Sequence, residues 1–116
     1  MANAFTNKGV AIGATATTIY QVPSTVNSSV VHSIYIANID GTNAATVNIE
    51  VSTDGAGSGS FFHVAKTVQV PADSSLILDK PVNLFNTNNA SAGDLMRATA
   101  SAASRLEAFI SILEIS

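Results

Sequence analysis

Apolar and polar residues alternate over short stretches of this chain, as they do in β-strands that have one face in a protein core. The clearest case is the segment 46–52, in which Val47, Ile49 and Val51 are separated by polar residues. A period of two places successive side chains on opposite sides of a strand. We therefore predict a strand here with one side in the core and one in water.

The apolar run before this strand is different, because its apolar residues fall on both sides. Ile34 and Ile36 share one side, and Val31 and Tyr35 share the other. The segment Asp40 to Ala44 joins the two runs and is rich in turn residues, which predicts an antiparallel hairpin at the centre of the core. A strand that is apolar on both sides is expected to be covered on both, within a sandwich or by a neighbouring subunit.

Further β-type runs, separated by turn signals, follow one another along the chain. They are Val10 to Ile12, Thr17 to Val22, Phe61 to Val70, Leu76 to Leu78, Val82 to Phe85, Leu95 to Ala100 and a last strand from about Leu106 to Ile115, apolar on both sides. In the run Phe61 to Val70, the apolar residues Phe62, Val64, Val68 and Val70 share one face and Ala65 lies on the other; Lys66 interrupts the first face, which indicates a bulge or a rim position. About eight such strands predict an all-β fold, a single antiparallel β-sandwich or jelly roll.

The connections between these strands also carry predictions. Asp54 to Ser60 is expected to be a flexible, protruding loop, and Asn86 to Gly93 a second loop. Gly93-Asp94 is interpreted as a tight turn. The best helical alternative, Ala98 to Glu114, is rejected because a loop rich in Ser and Ala falls inside it.

At 116 residues the chain has the size of one domain, and no charge run or long linker divides it. We assign residues 9–116 to the β-sandwich and residues 1–8 to an N-terminal arm. The arm is small and polar apart from Phe5, which is expected to anchor it to a partner.

Charged residues make up 11% of the chain, against about 25% in an average globular protein. A surface of Ala, Ser, Thr and Asn loses its hydration at low cost, so this composition favours packing against other protein. We expect a homo-oligomer, with Phe5, Tyr35, Phe61 and Phe109 as candidate assembly contacts.

Several function classes are disfavoured by composition. Five scattered Lys and Arg residues and a net charge of −3 provide no basic stripe, so we expect no nucleic-acid partner. No apolar run approaches the roughly 20 residues of a membrane span, and the first residues lack a signal-peptide pattern, so we expect synthesis in a cytoplasm and no membrane. The absence of Cys excludes disulfides and thiolate chemistry.

No residue set predicts catalysis, a metal or a cofactor. His32 and His63 each lie inside a predicted strand, without the strained turn of a hydrolase nucleophile. Gly55, Gly57 and Gly59 are not followed by a Lys-Ser or Lys-Thr pair and a helix, so they do not form a phosphate loop. We therefore expect a non-enzymatic protein, although a small hydrolase that uses either His stays a minor alternative.

A carbohydrate-binding module is the main alternative of a different class. Sugar rings stack on aromatic side chains, and Tyr20, Tyr35, Phe61 and Phe62 would have to supply such a platform beside the Gly-rich loop. The chain has no Trp and few aromatic residues, so core packing is the expected fate of most of them.

Several short motifs recur together in one group of viral proteins. They are Tyr-x-Val-Pro at Tyr20 to Pro23, Ala37-Asn38 followed by Gly41, Val-Pro-Ala-x-Ser-x-Leu at Val70 to Leu76, and Ala-Gly-Asp at Ala92 to Asp94. From about Ile19 to its C-terminus the chain resembles small virion structural proteins of tailed bacteriophages, especially of cyanophages and related marine phages. The resemblance implies a β-sandwich without catalytic residues that joins other capsid, neck or tail subunits, as a head decoration or a neck or tail accessory protein.

Overall fold

The computed structural model describes residues 3–57, 59–86 and 92–116, which form nine β-strands and no helix. The strands are β1 (Asn3–Ile12), β2 (Thr17–Pro23), β3 (Ser28–Asn38), β4 (Ala45–Ser52), β5 (Phe61–Val70), β6 (Ser75–Leu78), β7 (Val82–Phe85), β8 (Ala92–Ala100) and β9 (Leu106–Ile115). They form two antiparallel sheets packed as a sandwich, which confirms the predicted fold class. Most of the predicted loop from Asn86 to Gly93 lies outside the described residues.

The strand order is that of a jelly roll. Sheet A has the order β1-β9-β3-β6, with β7 also paired to β3, and sheet B has the order β2-β8-β4-β5. β6 pairs with the second half of β3 and β7 with its first half, so together they act as one interrupted edge strand. With that strand counted once, the chain winds between two sheets as in a jelly roll of about eight strands.

The predicted hairpin of β3 and β4 is wrong, because the two strands belong to different sheets. The loop between them crosses the sandwich and is held by Asn38. Its Nδ2 donates to the carbonyl oxygens of Asn43 (2.9 Å) and Val70 (3.0 Å), and its Oδ1 accepts from the Asp40 amide (2.9 Å). Turn residues allow the chain to reverse direction but do not determine which strand the next one pairs with. The same residues are therefore compatible with a hairpin and with a connection between two sheets.

A β-bulge at His32 changes which residues of β3 share a side. The register with β9 shifts between Val31 and Ser33, so that Val31 points inward together with Ile34. Both are fully buried, whereas Tyr35 on the other side is exposed. Within the single chain only one side of β3 is therefore covered, and coverage of the other side by a neighbouring subunit stays a prediction.

The last strand, β9, repeats this one-sided burial at the centre of sheet A. Its inward residues, Leu106, Ala108, Ile110 and Ile112, are buried in the core between the sheets, while Phe109 on the other side is exposed. Burial of both sides, as the apolar pattern indicated, is again not found within one chain.

β1 is longer than predicted and begins at Asn3 instead of Val10. It pairs with β9 along its whole length, yet Ile12 is its one fully buried residue. Residues 3–8 of the predicted arm therefore lie along the edge of sheet A with exposed side chains. Their docking to a partner stays a prediction.

The bulge predicted near Lys66 is confirmed. The register of β5 with β4 shifts at this point, and Thr67 has a positive φ of 51°. Val70 faces the core as predicted, but before the bulge the predicted facing is reversed, since Ala65 is buried while Phe62 and Val64 are exposed.

The Ala-Gly-Asp motif forms a buried polar junction inside β8, so the predicted tight turn is wrong. Asp94 is buried, and its Oδ1 accepts from the Gly55 amide (2.7 Å) and from Ser52 Oγ (3.2 Å), while its Oδ2 accepts from the Phe85 amide (3.1 Å). Gly93 permits this approach, because a Cβ there would lie 2.6 Å from the Phe85 carbonyl oxygen. The beginning of the predicted protruding loop is thereby tied to β8.

Candidate assembly surface

Three apolar side chains form a continuous row on the outer face of sheet A. Phe109 on β9 lies opposite Tyr35 on β3, Ile77 on β6 follows, and Gly9 on β1 ends the row on the other side of Phe109. Directly opposite residues of antiparallel strands project from the same face of a sheet. Phe109, Tyr35 and Ile77 are 46%, 41% and 56% exposed. We call these four positions the aromatic row.

A shallow depression of about 390 Å³ accompanies the aromatic row at its β1 end. Gly9, Ala11 and Ala37 line it with little or no side chain, and Phe109 and Tyr35 rise beside them. The Glu107 side chain, between Ala11 and Ala37, also lines it.

Phe5 lies on the same face of sheet A, near the other end of β1. It is 80% exposed, and its ring lies 5.9 Å from the ring of His32, tilted by 31°. Three of the four predicted contact residues, Phe5, Tyr35 and Phe109, thus share one surface.

Phe61, the fourth predicted contact, lies on sheet B and is not brought to this surface. The guanidinium carbon of Arg97 lies 3.6 Å above its ring, and Arg97 Nε donates to Glu50 Oε1 at 3.3 Å. This cation–π contact covers part of the ring. Phe61 stays a predicted contact of a separate surface.

Sequence reasoning missed Ile77 as a member of the row. Its signal was present, since the middle residue of the short strand around Leu76 to Leu78 points away from two inward neighbours. Phe85 on β7, 53% exposed, was missed in the same way.

The outer face of sheet A is almost uncharged. Among its strand residues in the described ranges, Glu107 is the one with a formal charge. Covering this face therefore removes water from few ionised groups, which keeps the desolvation cost of an interface low.

The two histidines do not form a catalytic arrangement with each other. His32 is exposed at the bulge of sheet A, whereas His63 is on sheet B with its Nε2 3.7 Å from Glu50 Oε2. In the ranges that the structure describes, no three His, Cys, Asp or Glu side chains converge as metal ligands. The same ranges hold no helix with the length and hydrophobicity needed to cross a bilayer.

The predicted sugar-stacking platform is not assembled, because Tyr20 lies in the core while Tyr35 is on sheet A and Phe61 on sheet B. The Tyr20 hydroxyl donates to Glu114 Oε2 and shares a hydrogen bond with Ser29 Oγ, both at 2.7 Å. Burial raises the pKa of Tyr20 above its ordinary value, and the nearby Glu114 carboxylate adds to this, against a lowering by Ser29.

Asp40 organises the loop that crosses between the sheets. Its Oδ1 accepts from the amides of Thr42 (2.8 Å) and Asn43 (3.1 Å), and these hydrogen bonds lower the pKa of its carboxyl group. Arg105, whose Nε lies 3.3 Å from Asp40 Oδ2, contributes less to that lowering. The carboxylate is thus engaged in turn formation.

No family model and no curated protein matches this sequence. Among solved structures, the chain is similar to a subunit of Bacillus endospore appendages, described as disulfide-linked pili (TM-score 0.53, 17% identity, 99% of this chain and 87% of that one). It is also similar to a chain of the Helicobacter pylori bacteriophage KHP30 capsid (TM-score 0.50, 10% identity, 100% and 89%). A pentameric capsid protein from metagenomic phage sequences is a third such structure (TM-score 0.50, 17% identity, 90% and 59%).

These identities are low, so the likeness concerns the fold alone. The three similar structures are virus capsid and pilus proteins, which act by assembling. Unlike the disulfide-linked pili, this chain has no Cys with which to link its copies covalently.

Proposed function

We propose that this protein is a non-enzymatic structural component of a tailed-phage virion. It is made in the cytoplasm of the host bacterium and joins capsid, neck or tail subunits as a head decoration or a neck or tail accessory protein. The observation that carries this proposal is the aromatic row, an exposed apolar surface on an almost uncharged sheet face. The fold that the chain shares with phage capsid proteins supports it.

The mechanism is the burial of this surface against a neighbouring subunit. Fully burying a large apolar side chain contributes roughly 1.5–3 kcal/mol, so covering the exposed halves of Phe109, Tyr35 and Ile77 contributes roughly 1 kcal/mol each. Such a contribution is modest for one contact and large for a particle in which many copies bind at once.

The N-terminal arm, residues 1–8, provides a second contact in this proposal. Phe5 is the most exposed large apolar side chain of the described residues and lies on the same face as the row. A partner that covers the aromatic row therefore reaches Phe5 as well.

Incorporation into particles tests the proposal. The variants Phe109→Asp and Thr18→Asp each add one negative charge at an exposed strand position, the first on sheet A and the second on sheet B. We expect both to fold, as judged by circular dichroism. In purified virions, quantitative mass spectrometry should find Thr18→Asp at the wild-type copy number and Phe109→Asp strongly depleted.

Wild-type incorporation of Phe109→Asp would contradict the role of the aromatic row. A chain that lacks residues 1–8 tests the arm, since it should fold and fail to join the particle. The copy number of the wild-type protein distinguishes the positions, because decoration requires many copies per head and a neck or tail role requires few.

A further inference from the structure

The four sheet edges of this molecule are not equally protected against pairing with another chain. Exposed edge strands recruit further strands unless a proline, a bulge, a charge or an interruption blocks them. β2 has two register shifts and ends at Pro23, and β5 has two register shifts and the positive φ of Thr67. Asp79 to Pro81 interrupts the edge formed by β6 and β7.

β1 is the least protected of these edges, with a single charge as its only such feature. It pairs with β9 over ten residues without a register shift, contains no proline and carries Lys8 as its one charged residue. In the described sheets no strand pairs with its other side. β1 therefore presents a long, regular row of backbone donors and acceptors.

We propose that β1 pairs antiparallel with β1 of a second copy of this chain, about a two-fold axis that joins the two A sheets into one. A regular ladder needs a regular edge on both sides, and β1 is the one such edge in the described part of the chain. A second β1 is therefore the matching occupant, and two-fold symmetry gives the antiparallel direction.

The side chains of β1 select one register, in which Asn7 lies opposite Asn7 of the second copy. Phe5 then lies opposite Gly9 of the second copy, and the reverse contact forms by symmetry. Gly9 is the bare end of the aromatic row and borders the depression beside Phe109. The Phe5 ring fills this depression, as aromatic residues do when they cover a cross-strand glycine.

Forming this contact requires a rotation of one side chain. In the single chain the Phe5 ring lies against His32, and it turns outward over Gly9 of the second copy when the strands pair. Rotamer changes of this kind are common when interfaces form.

The neighbouring registers are less favourable. With Lys8 on the axis, two like charges face each other, which destabilises a strand pair. With Thr6 on the axis, Phe5 faces Asn7 and Gly9 stays uncovered. In the proposed register Lys8 lies opposite Thr6, and both difficulties are absent.

This pairing belongs to the isolated chain and does not depend on the virion role. It covers Phe5 and the β1 end of the aromatic row and leaves Ile77 available to other proteins. Its tests use purified protein alone, so their failure is separable from a failure of particle incorporation.

Disulfide trapping tests the register, because the chain has no Cys of its own. In Asn7→Cys the two thiols face each other across the axis, within the separation that a disulfide spans. In the control Thr6→Cys the two positions are offset along the strands, beyond the limit of about 7 Å between Cα atoms. Under mild oxidation we expect Asn7→Cys to form a linked dimer at least about tenfold faster.

Sedimentation tests the Phe5 contact. A Cβ at Gly9 meets Phe109 Cδ1 at 3.6 Å, an ordinary contact, so Gly9→Val should fold while filling the depression. We expect the wild type to sediment as a dimer and Gly9→Val to dissociate at least about tenfold more readily, which corresponds to about 1.4 kcal/mol. Ala4→Val, an exposed β1 position that does not line the depression, is the control and should stay dimeric.

Three results would overturn the inference. They are a monomeric wild-type chain, equal or faster cross-linking of Thr6→Cys, and equal weakening of the dimer by Gly9→Val and Ala4→Val. Cross-linking confined to Asn7→Cys, together with weakening confined to Gly9→Val, would support both the partner and the register.

Discussion

The outer faces of the two sheets differ at equivalent places, a row of four residues that crosses each sheet. On sheet A the row is Gly9, Phe109, Tyr35 and Ile77, and on sheet B it is Thr18, Arg97, Glu50 and His63. In the second row Glu50 accepts from Arg97 at 3.3 Å and lies 3.7 Å from His63. The first row is apolar and the second is charged and internally paired.

This difference separates a face suited to water from a face suited to protein. Covering sheet B would remove water from Glu50 and Arg97, and the attraction between buried ions repays that cost only with good geometry. Covering sheet A removes water from apolar carbon atoms, which is favourable. Two sheets of one jelly roll, with the same core between them, thus differ in the cost of covering their outer faces.

The largest expected effect is the difference in stability between a substitution on the inner side of β9 and one on its outer side. Ile110→Asp places an uncompensated carboxylate in the core, at a cost of at least about 5 kcal/mol, which is comparable to the whole stability of a domain. Phe109→Asp, one residue earlier on the outer side, should change stability by about 1 kcal/mol or less. Denaturant unfolding measures both, and a similar loss in the two variants would show that the outer face is needed for folding.

The next effect comes from making sheet B resemble sheet A. The double variant with Glu50→Leu and Arg97→Leu replaces the central ion pair by apolar side chains, so we expect association beyond that of the wild type in light scattering. The reciprocal variant, with Phe109→Arg and Tyr35→Glu, should be more soluble than the wild type. Unchanged association in both would mean that the contrast between the two rows has no consequence.

A smaller effect concerns the link between the two sheets. Tyr20 of sheet B hydrogen-bonds Ser29 and Glu114 of sheet A, so Tyr20→Phe should cost about 1–2 kcal/mol near neutral pH. Because the pKa of Tyr20 is raised in the folded state, its contribution is complete below about pH 10, the value in the unfolded chain, and is lost as the pH rises further.

Urea unfolding across the alkaline range measures this loss. The wild type should lose stability above about pH 10 more steeply than Tyr20→Phe. Tyr35→Phe, which changes an exposed tyrosine of sheet A, is the control and should behave as the wild type. Parallel profiles for all three proteins would rule out the assigned role of Tyr20.

The smallest expected effect is that of the charged row itself. Glu50→Gln removes the partner of Arg97 and His63 at the surface of sheet B, and such pairs contribute about 1 kcal/mol or less. The midpoint temperature of thermal unfolding should therefore change little, and the change should be smaller still in high salt, which screens these charges. A large loss would show that this row is structural and not merely solvated.

The location of most strands was predictable from the sequence because strand periodicity is local. The start of β1 at Asn3 was not, because residues 3–9 are mostly polar and form a strand only by pairing with β9. The facing of β3 and β5 was not, since a single bulged residue, at His32 or beside Thr67, reverses the inward and outward positions that follow it. For this reason the sequence pattern placed Val31 and Ile34 on different sides of β3, although both side chains point into the core. The pairing partner of each strand could not be predicted either. The segment Asp40 to Ala44, predicted to close a hairpin, instead connects strands of different sheets.

The candidate surface was predictable in part. Tyr35 and Phe109 belong to the two strands that are apolar on both sides in the sequence, which marks them as candidates for contact with another protein. That they face each other depends on the pairing of β3 with β9, two strands far apart in the sequence. Phe61 has a similar local pattern and lies on the other sheet.

By itself the sequence determined that this protein is built from strands, that it has little surface charge and that it has no Cys, because periodicity and composition are properties of the chain alone. Tertiary structure decided which strands pair, where the aromatic row forms and which edge stays open. The physical reason is that side chains distant in the sequence become neighbours only through the cross-strand register, and bulges, crossings and burial set that register together.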